Sequence, residues 1–366
     1  MNCCEKCFTS SEIKSFIKSL DGIGDCNFCE SSNVYVYDLD NDNGLDDRFN
    51  DLLSIFKLGT DDLLAEGYSQ YKLISIKDEF EKRWNIFNGF DGNKIHRLLT
   101  LLLERKYSDK ISFLNNQVAI IEWMNESYLE KNAVLKGYSW GEFVKYIKHE
   151  NRFHSNHVNN EILKKYLERI TTVVEDEVFY RGRISNDKEL DSTEMGAPPL
   201  LYATAGRANS EGISHLYLAS DIETVINEIR PSISDILYIG NFPIREPLKV
   251  VDFRMLKNLD VFEFDDPIMY IMYAINLETF SEMSKAISKP VRSGDSKLDY
   301  LPTQFIVDFI KTLNTTEFAG YHGIVFESTV STSGYNLMIF DPDLLNCSKI
   351  TKREILTVRY THTSCV

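Results

Sequence analysis

Hydrophobic and polar positions along this chain change period more than once, and each change predicts a change of element. From Asn33 to Leu39 the sequence NVYVYDL alternates, which predicts a strand. The polar stretch Asp40–Asp47 (DNDNGLDD) then reads as a boundary. From there to about Thr172 the spacing is mainly helical. Asn93–Arg105 carries leucines on one helical face, and Gln117–Asn125 continues in the same way. Ser139-Trp140-Gly141-Glu142 is a capping box, with Tyr138 and Phe143 placed as a hydrophobic staple, opening a helix toward His149. Ile162, Leu163, Tyr166, Leu167 and Ile170 mark the apolar face of the next helix.

From Glu177 the pattern shortens to that of strands. Val178–Arg183, His215–Ala219, Asp235–Phe242, Pro247–Phe253, Gly323–Glu327, Tyr335–Phe340 and Ile355–Tyr360 are short and rich in aromatic or β-branched residues. Helices are expected at Asp221–Glu228, at about Pro267–Ser288 and at Pro302–Lys311, with Asp221 as an N-cap and Pro302 in a first turn. Many strands with few, irregularly placed helices predict an α+β fold. The expected division is three domains: residues 1–45, 46–172 and 173–366.

Composition narrows the function classes. Hydrophobic residues at 43% and aromatics at 12% of 366 positions are globular values. A net charge of −15 argues against broad binding to phosphate backbones, so nucleic acid is not the expected partner. No apolar run approaches the roughly 18 residues of a membrane helix. The N-terminal MNCCEKCFTSSEIK lacks the apolar centre of a secretory signal. A cytoplasmic protein is expected, whose cysteines act as thiols or metal ligands.

Those cysteines are unevenly placed: five of seven fall within the first 29 residues. Cys4–Cys7 and Cys26–Cys29 are two CxxC pairs separated by 18 residues, the knuckle spacing of a four-cysteine zinc site. Each CxxC turn aims two thiolates at one point, and a closed set of four leaves no open position for chemistry. Cys3 competes with Cys4 for the first ligand position. Cys347 and Cys365 stand alone and receive no role.

The most informative stretch for chemistry runs from Tyr202 to Arg230, YATAGRANSEGISHLYLASDIETVINEIR. Arg207 lies 10 residues before Tyr217, and Glu228 lies 11 after it. A guanidinium holds a phosphate by two parallel hydrogen bonds, and a tyrosine ring offers a stacking face. A carboxylate holds a ribose hydroxyl and steadies a developing oxocarbenium ion. Alternation places His215, Tyr217 and Ala219 on one strand face and Leu216 and Leu218 on the other. The three residues together point to cleavage of a glycosidic bond, foremost the nicotinamide–ribose bond of NAD. Each has a plainer reading: a solvated helix glutamate, a core tyrosine and a surface arginine.

The order of these signals resembles the RES-domain family, named for a shared arginine, glutamate and serine. The resemblance covers about Val178 to Tyr360 and is strongest from Gly206 to Pro231, where Arg207, Asn209, Gly212, Tyr217 and Glu228 follow the family pattern. Arg181 in FYRGR, the segment Tyr300-Leu301-Pro302-Thr303-Gln304, Ser328 at the end of GIVFES, and Asn336 with Phe340 extend it. What this implies is an ADP-ribosyltransferase-like split β-sandwich that consumes NAD and acts as the toxin of a toxin–antitoxin pair, with anti-phage defence as one setting. It also implies roles. Glu228 orients the nicotinamide ribose, Tyr217 stacks on nicotinamide, and one of Arg181 and Arg207 clamps the pyrophosphate. Ser328 bonds the ribose or holds Glu228, while Asn209 and Asn336 support the site. An antitoxin or regulatory protein is the implied partner, and a homodimer is left open.

The zinc-bearing start and helical middle resemble an N-terminal extension related to HEPN-type helical domains. Arg152 and His157 have the spacing of the HEPN ribonuclease pair, which supplies a second reading as an RNase. A third is a nucleotide-binding sensor without catalysis.

Overall fold

The computed structural model describes residues 1–256, 258–264, 266–290, 296–313, 320–331 and 334–359. Packing divides the chain into two compact units, Met1–Gly137 with Lys257–Phe280, and Tyr138–Leu256 with Ser281–Val366. The helices opened by Ser139 and Asn159, grouped with the helical middle on their sequence pattern, belong to the second unit. The chain as a whole is α+β.

In the first unit a three-stranded antiparallel sheet places Val34–Asp38 between Asn2–Cys4 and Ile23–Gly24. The helix Ser11–Ser19 is inserted between the two CxxC turns. Gly92–Leu103 is helical as its leucine spacing predicts, capped by Asp91 and burying Leu98, Leu99, Leu102 and Leu103. Gln117–Asn125 is not the helix expected. Val118–Ala119 is a strand paired with Lys57–Leu58, and a 3-10 turn follows at Ile121–Met124. Within it only Val118, Ala119 and Ile120 are buried, and so short an apolar run satisfies either period, so periodicity misassigns it.

The second unit holds the sheet. Its strands are β1 (Thr171–Val174), β2 (Val178–Ile184), β3 (Leu216–Ala219), β4 (Ile236–Pro243), β5 (Leu248–Asp252), β6 (Gly323–Glu327), β7 (Tyr335–Ile339) and β8 (Lys349–Glu354). Their order is β8-β4-β2-β3-β7-β6-β5-β1, antiparallel throughout except for the β5–β6 pair. The helices are α1 (Trp140–His149), α2 (Asn160–Arg169), α3 (Ile222–Ile229), α4 (Pro267–Ser288, which re-enters this unit at Ser281) and α5 (Leu301–Thr312). The capping box at Ser139 is fully formed, but Tyr138 is exposed and its ring packs, tilted by 40°, against that of His157 with ring centroids 4.0 Å apart.

Two strands differ from expectation. β1 begins inside the stretch expected to be mainly helical to about Thr172 and ends before the strands expected from Glu177, yet it pairs antiparallel with β5. The last strand is Lys349–Glu354 and not Ile355–Tyr360, whose final residue lies outside the described residues. β8 is an edge strand whose charges mask its pattern, as edge strands commonly do.

The sheet is nearly divided in two. β2 meets β3 at a single pair, Tyr180 with Ala219, whereas β2 follows β4 along its whole length. Leu216 and Leu218 lie in the core with Phe179, Val250, Val325, Leu337 and Ile339. Beyond that one pair the two halves splay, and the cleft described next opens there.

Candidate active site

The cleft has a volume of about 470 Å³, and Arg181, Arg207, Asn209, Tyr217, Glu228 and Asn336 all line it. Among the described residues its charged lining is three cations (Arg181, Arg207 and Lys289) against one carboxylate, Glu228. Within a chain of net charge −15, that concentration of positive charge suits an anionic ligand.

Arg181 projects from β2 where the strands part, and its Nη1 donates to the Tyr217 carbonyl oxygen at 3.1 Å. The splay leaves that carbonyl without a strand partner on this side, and the guanidinium takes it. No carboxylate pairs with Arg181 among the described residues, and its Nε has no hydrogen-bond partner there. Burial, with Arg183 nearby, lowers the Arg181 guanidinium to about 10.

Tyr217 stands on the β3 face opposite the core leucines and is half-buried. Its hydroxyl donates to Asn209 Oδ1 at 2.7 Å. Burial pushes the phenol well above its ordinary range, so it stays protonated and keeps that bond. Asn209 spends its amide nitrogen on the carbonyls of Thr204, Ser210 and Ile213, at 2.9, 3.2 and 3.1 Å. Asn209 therefore organises the loop and aims the tyrosine. Arg207, only 8% exposed, donates Nη2 to the Pro290 carbonyl at 3.2 Å and lies over the Tyr300 ring.

Glu228 sits near the end of α3, exposed on the cleft side. Gly182 explains how the helix reaches it: a Cβ there would come within 2.3 Å of Ile229 Cδ1 and 2.6 Å of Val225 Cγ1. Only a glycine in β2 lets α3 lie this close. Glu228 Oε1 accepts from Ser328 Oγ at 2.8 Å and from Asn336 Nδ2 at 2.9 Å. Ser328 is 6% exposed and stands behind the carboxylate, outside the cleft lining.

His215 also lines the cleft, a position the sequence pattern placed on the right face without giving it a role. Its Nδ1 lies 3.0 Å from the Phe340 carbonyl, which can only accept, so Nδ1 carries the proton. Burial pushes the imidazole below its ordinary range. A neutral histidine at this end of β3 follows.

Arg152 and His157 are differently placed. Arg152 is exposed and reaches the Lys148 carbonyl, whereas the His157 ring lies between those of Tyr138 and Tyr146, 4.0 Å from each centroid. No observation here favours a phosphate-cleaving pair.

The four sulfurs of Cys4, Cys7, Cys26 and Cys29 all lie within 4.8 Å of one another and could hold a metal ion. Cys4–Cys7, Cys4–Cys29 and Cys7–Cys26 are separated by 3.7, 3.4 and 3.4 Å. Bonds of about 2.3 Å in a tetrahedron need sulfurs slightly under 4 Å apart, so the set fits zinc. The amides of Phe28 and Cys29 point at Cys26 Sγ, as a knuckle turn requires. Cys3 is buried on the same short strand but is not part of this set, because adjacent strand residues face opposite ways.

Fold and site define an α+β domain with a cationic, aromatic and acidic cleft at a split sheet. Residues 181–360 match the RES domain family, and the chain belongs to that family. It is a family of NAD-related toxins of toxin–antitoxin systems. No curated protein and no solved structure matches the chain significantly. Among the described residues no helix is long and apolar enough to cross a membrane.

Proposed function

We propose that the second unit cleaves the nicotinamide–ribose bond of NAD. The single observation carrying this reading is that Arg181, Arg207, Tyr217 and Glu228 line one cleft. In this reading the two guanidiniums receive the pyrophosphate, and the Tyr217 ring stacks on nicotinamide. Arg181, held among the described residues only by a carbonyl, has donors to spare for a phosphate oxygen.

Glu228 supplies the chemistry. Its Oε1 is occupied by Ser328 and Asn336, so the carboxyl group is fixed in direction. Oε2 is then the oxygen that accepts from a ribose hydroxyl. As the C1′–N bond breaks, its electron pair leaves with nicotinamide, and positive charge spreads over C1′ and the ring oxygen. A carboxylate beside that charge lowers the barrier. A nucleophile then adds at C1′ and gives up its proton. Water would make the protein a glycohydrolase, phosphate a phosphorylase, and a protein side chain an ADP-ribosyltransferase.

An enzyme that consumes NAD needs restraint, and a partner antitoxin or regulatory protein fits the family. The four-cysteine set is proposed as a structural zinc site, closed and without chemistry of its own. Incubation of the purified chain with NAD, followed by measurement of free nicotinamide, tests the reading; intact NAD would favour a nucleotide-binding sensor instead.

A further inference from the structure

Residues 203–213 build one wall of the cleft, yet regular structure in them is limited to a bridge between Gly206 and Asn209. Such a segment would ordinarily be mobile, because few of its backbone groups are tied to a sheet or helix. Here the first turn of α5 supplies the missing partners. Gln304 Nε2 donates to the carbonyls of Gly206 and Asn209 at 2.7 and 2.8 Å. Gln304 Oε1 accepts from Ser210 Oγ at 3.3 Å. Thr303 Oγ1 reaches the Arg207 carbonyl at 2.6 Å, and the Tyr300 ring centroid lies 5.0 Å from the Arg207 guanidinium carbon.

Thr303 and Gln304 are almost wholly buried, at 2% and 5% exposure. Buried polar side chains cost stability unless satisfied, and an apolar pair would pack a helix against a sheet with less risk. What this pair adds is direction. Both amide hydrogens and the carbonyl of Gln304 are spent on one loop, and that loop carries Arg207 and, through Asn209, the Tyr217 hydroxyl.

We propose that Gln304 and Thr303 are positioning residues of this site, bracing the loop so that Arg207 and Tyr217 are set before a ligand arrives. The brace stands on the hydrogen bonds themselves; the identity of the ligand rests on the NAD reading above. Preorganisation of this kind shows mainly in binding, because an unbraced loop must be ordered at the ligand's expense.

The test uses the full chain with Gln304→Met, Thr303→Val and Thr303→Ser. One readout is hydrogen exchange at the amides of Gly206, Gly212 and Ile213, which are bonded within the loop to Asn209, Ala203 and Ser210. The other is kcat and KM for nicotinamide release from NAD. Gln304→Met is expected to speed loop exchange and raise KM, each about ten-fold, with kcat changed less than about three-fold and the β3 amides unaffected. Thr303→Val should move both readouts the same way, and Thr303→Ser, which restores the hydroxyl, should return them toward wild type. Unchanged loop exchange in Gln304→Met overturns the brace, as does a joint loss of sheet protection and kcat. If wild type releases no nicotinamide but the loop still loosens in Gln304→Met, the NAD reading fails and the brace stands.

Discussion

Ser328 Oγ donates to Glu228 Oε1 at 2.8 Å, across 100 positions of sequence. Asn336 donates to the same oxygen from β7, so the residue that follows β6 and a residue of β7 together fix a carboxylate carried by α3. Ser328→Ala is therefore expected to lower kcat about ten-fold, the worth of one hydrogen bond to a charged group, with KM nearly unchanged. Steady-state nicotinamide release checks this. A serine that contacts the ribose directly would raise KM as well, so the split between the two constants separates the roles.

Arg181 is a cation placed in the cleft without an acid partner among the described residues, and burial holds it at about 10. Because this folded-state pKa lies below the ordinary value, the charged guanidinium opposes folding at neutral pH. That opposition is relieved as pH rises through about 10. Arg181→Met should leave the ligand-free protein as stable as wild type or more so, as replacement of buried charge often does. ADP should raise the melting temperature of wild type and not of the variant, and wild-type affinity for ADP should fall as pH passes about 10. Thermal melts with and without ADP, and calorimetric titration across that range, measure both. A less stable variant that still responds to ADP would show that Arg181 serves the fold and not the ligand.

The cysteine set predicts one zinc per chain by elemental mass spectrometry, retained in Cys3→Ser and lost in Cys26→Ser. Loss of the metal should unfold the region around the sheet of Asn2–Cys4, Ile23–Gly24 and Val34–Asp38, because structural zinc supplies folding free energy. Full metal content in Cys26→Ser would place the ion elsewhere.

Much of this site was legible in the sequence, for identifiable reasons. Alternation about Leu216 and Leu218 put Tyr217 on the cleft face because a strand has only two faces. Asp221 marked the start of α3 because an N-cap is a local device, and its carboxylate does cap Thr224. The supporting contacts were not legible. Gln304 and Gly206 are 98 positions apart, and Asn336 and Glu228 are 108 apart, so no local pattern links them. His215 carried no signal as a buried histidine until its bond to Phe340 was seen. Asn209 matched the family motif, but its work of tying three carbonyls and one hydroxyl is a property of loop geometry. Cys4 prevailed over Cys3 through strand direction, which CxxC spacing does not contain.

Release of nicotinamide from NAD by the purified full-length chain, measured beside Glu228→Gln, tests the central claim most directly. The substitution keeps the shape of the side chain and its capacity to accept from Ser328 while removing the charge. Wild type should liberate nicotinamide, and the variant should do so at least about 100-fold more slowly while binding NAD with similar affinity. Equal rates in the two proteins would contradict the account, since the charge at Glu228 would then play no part in breaking the bond.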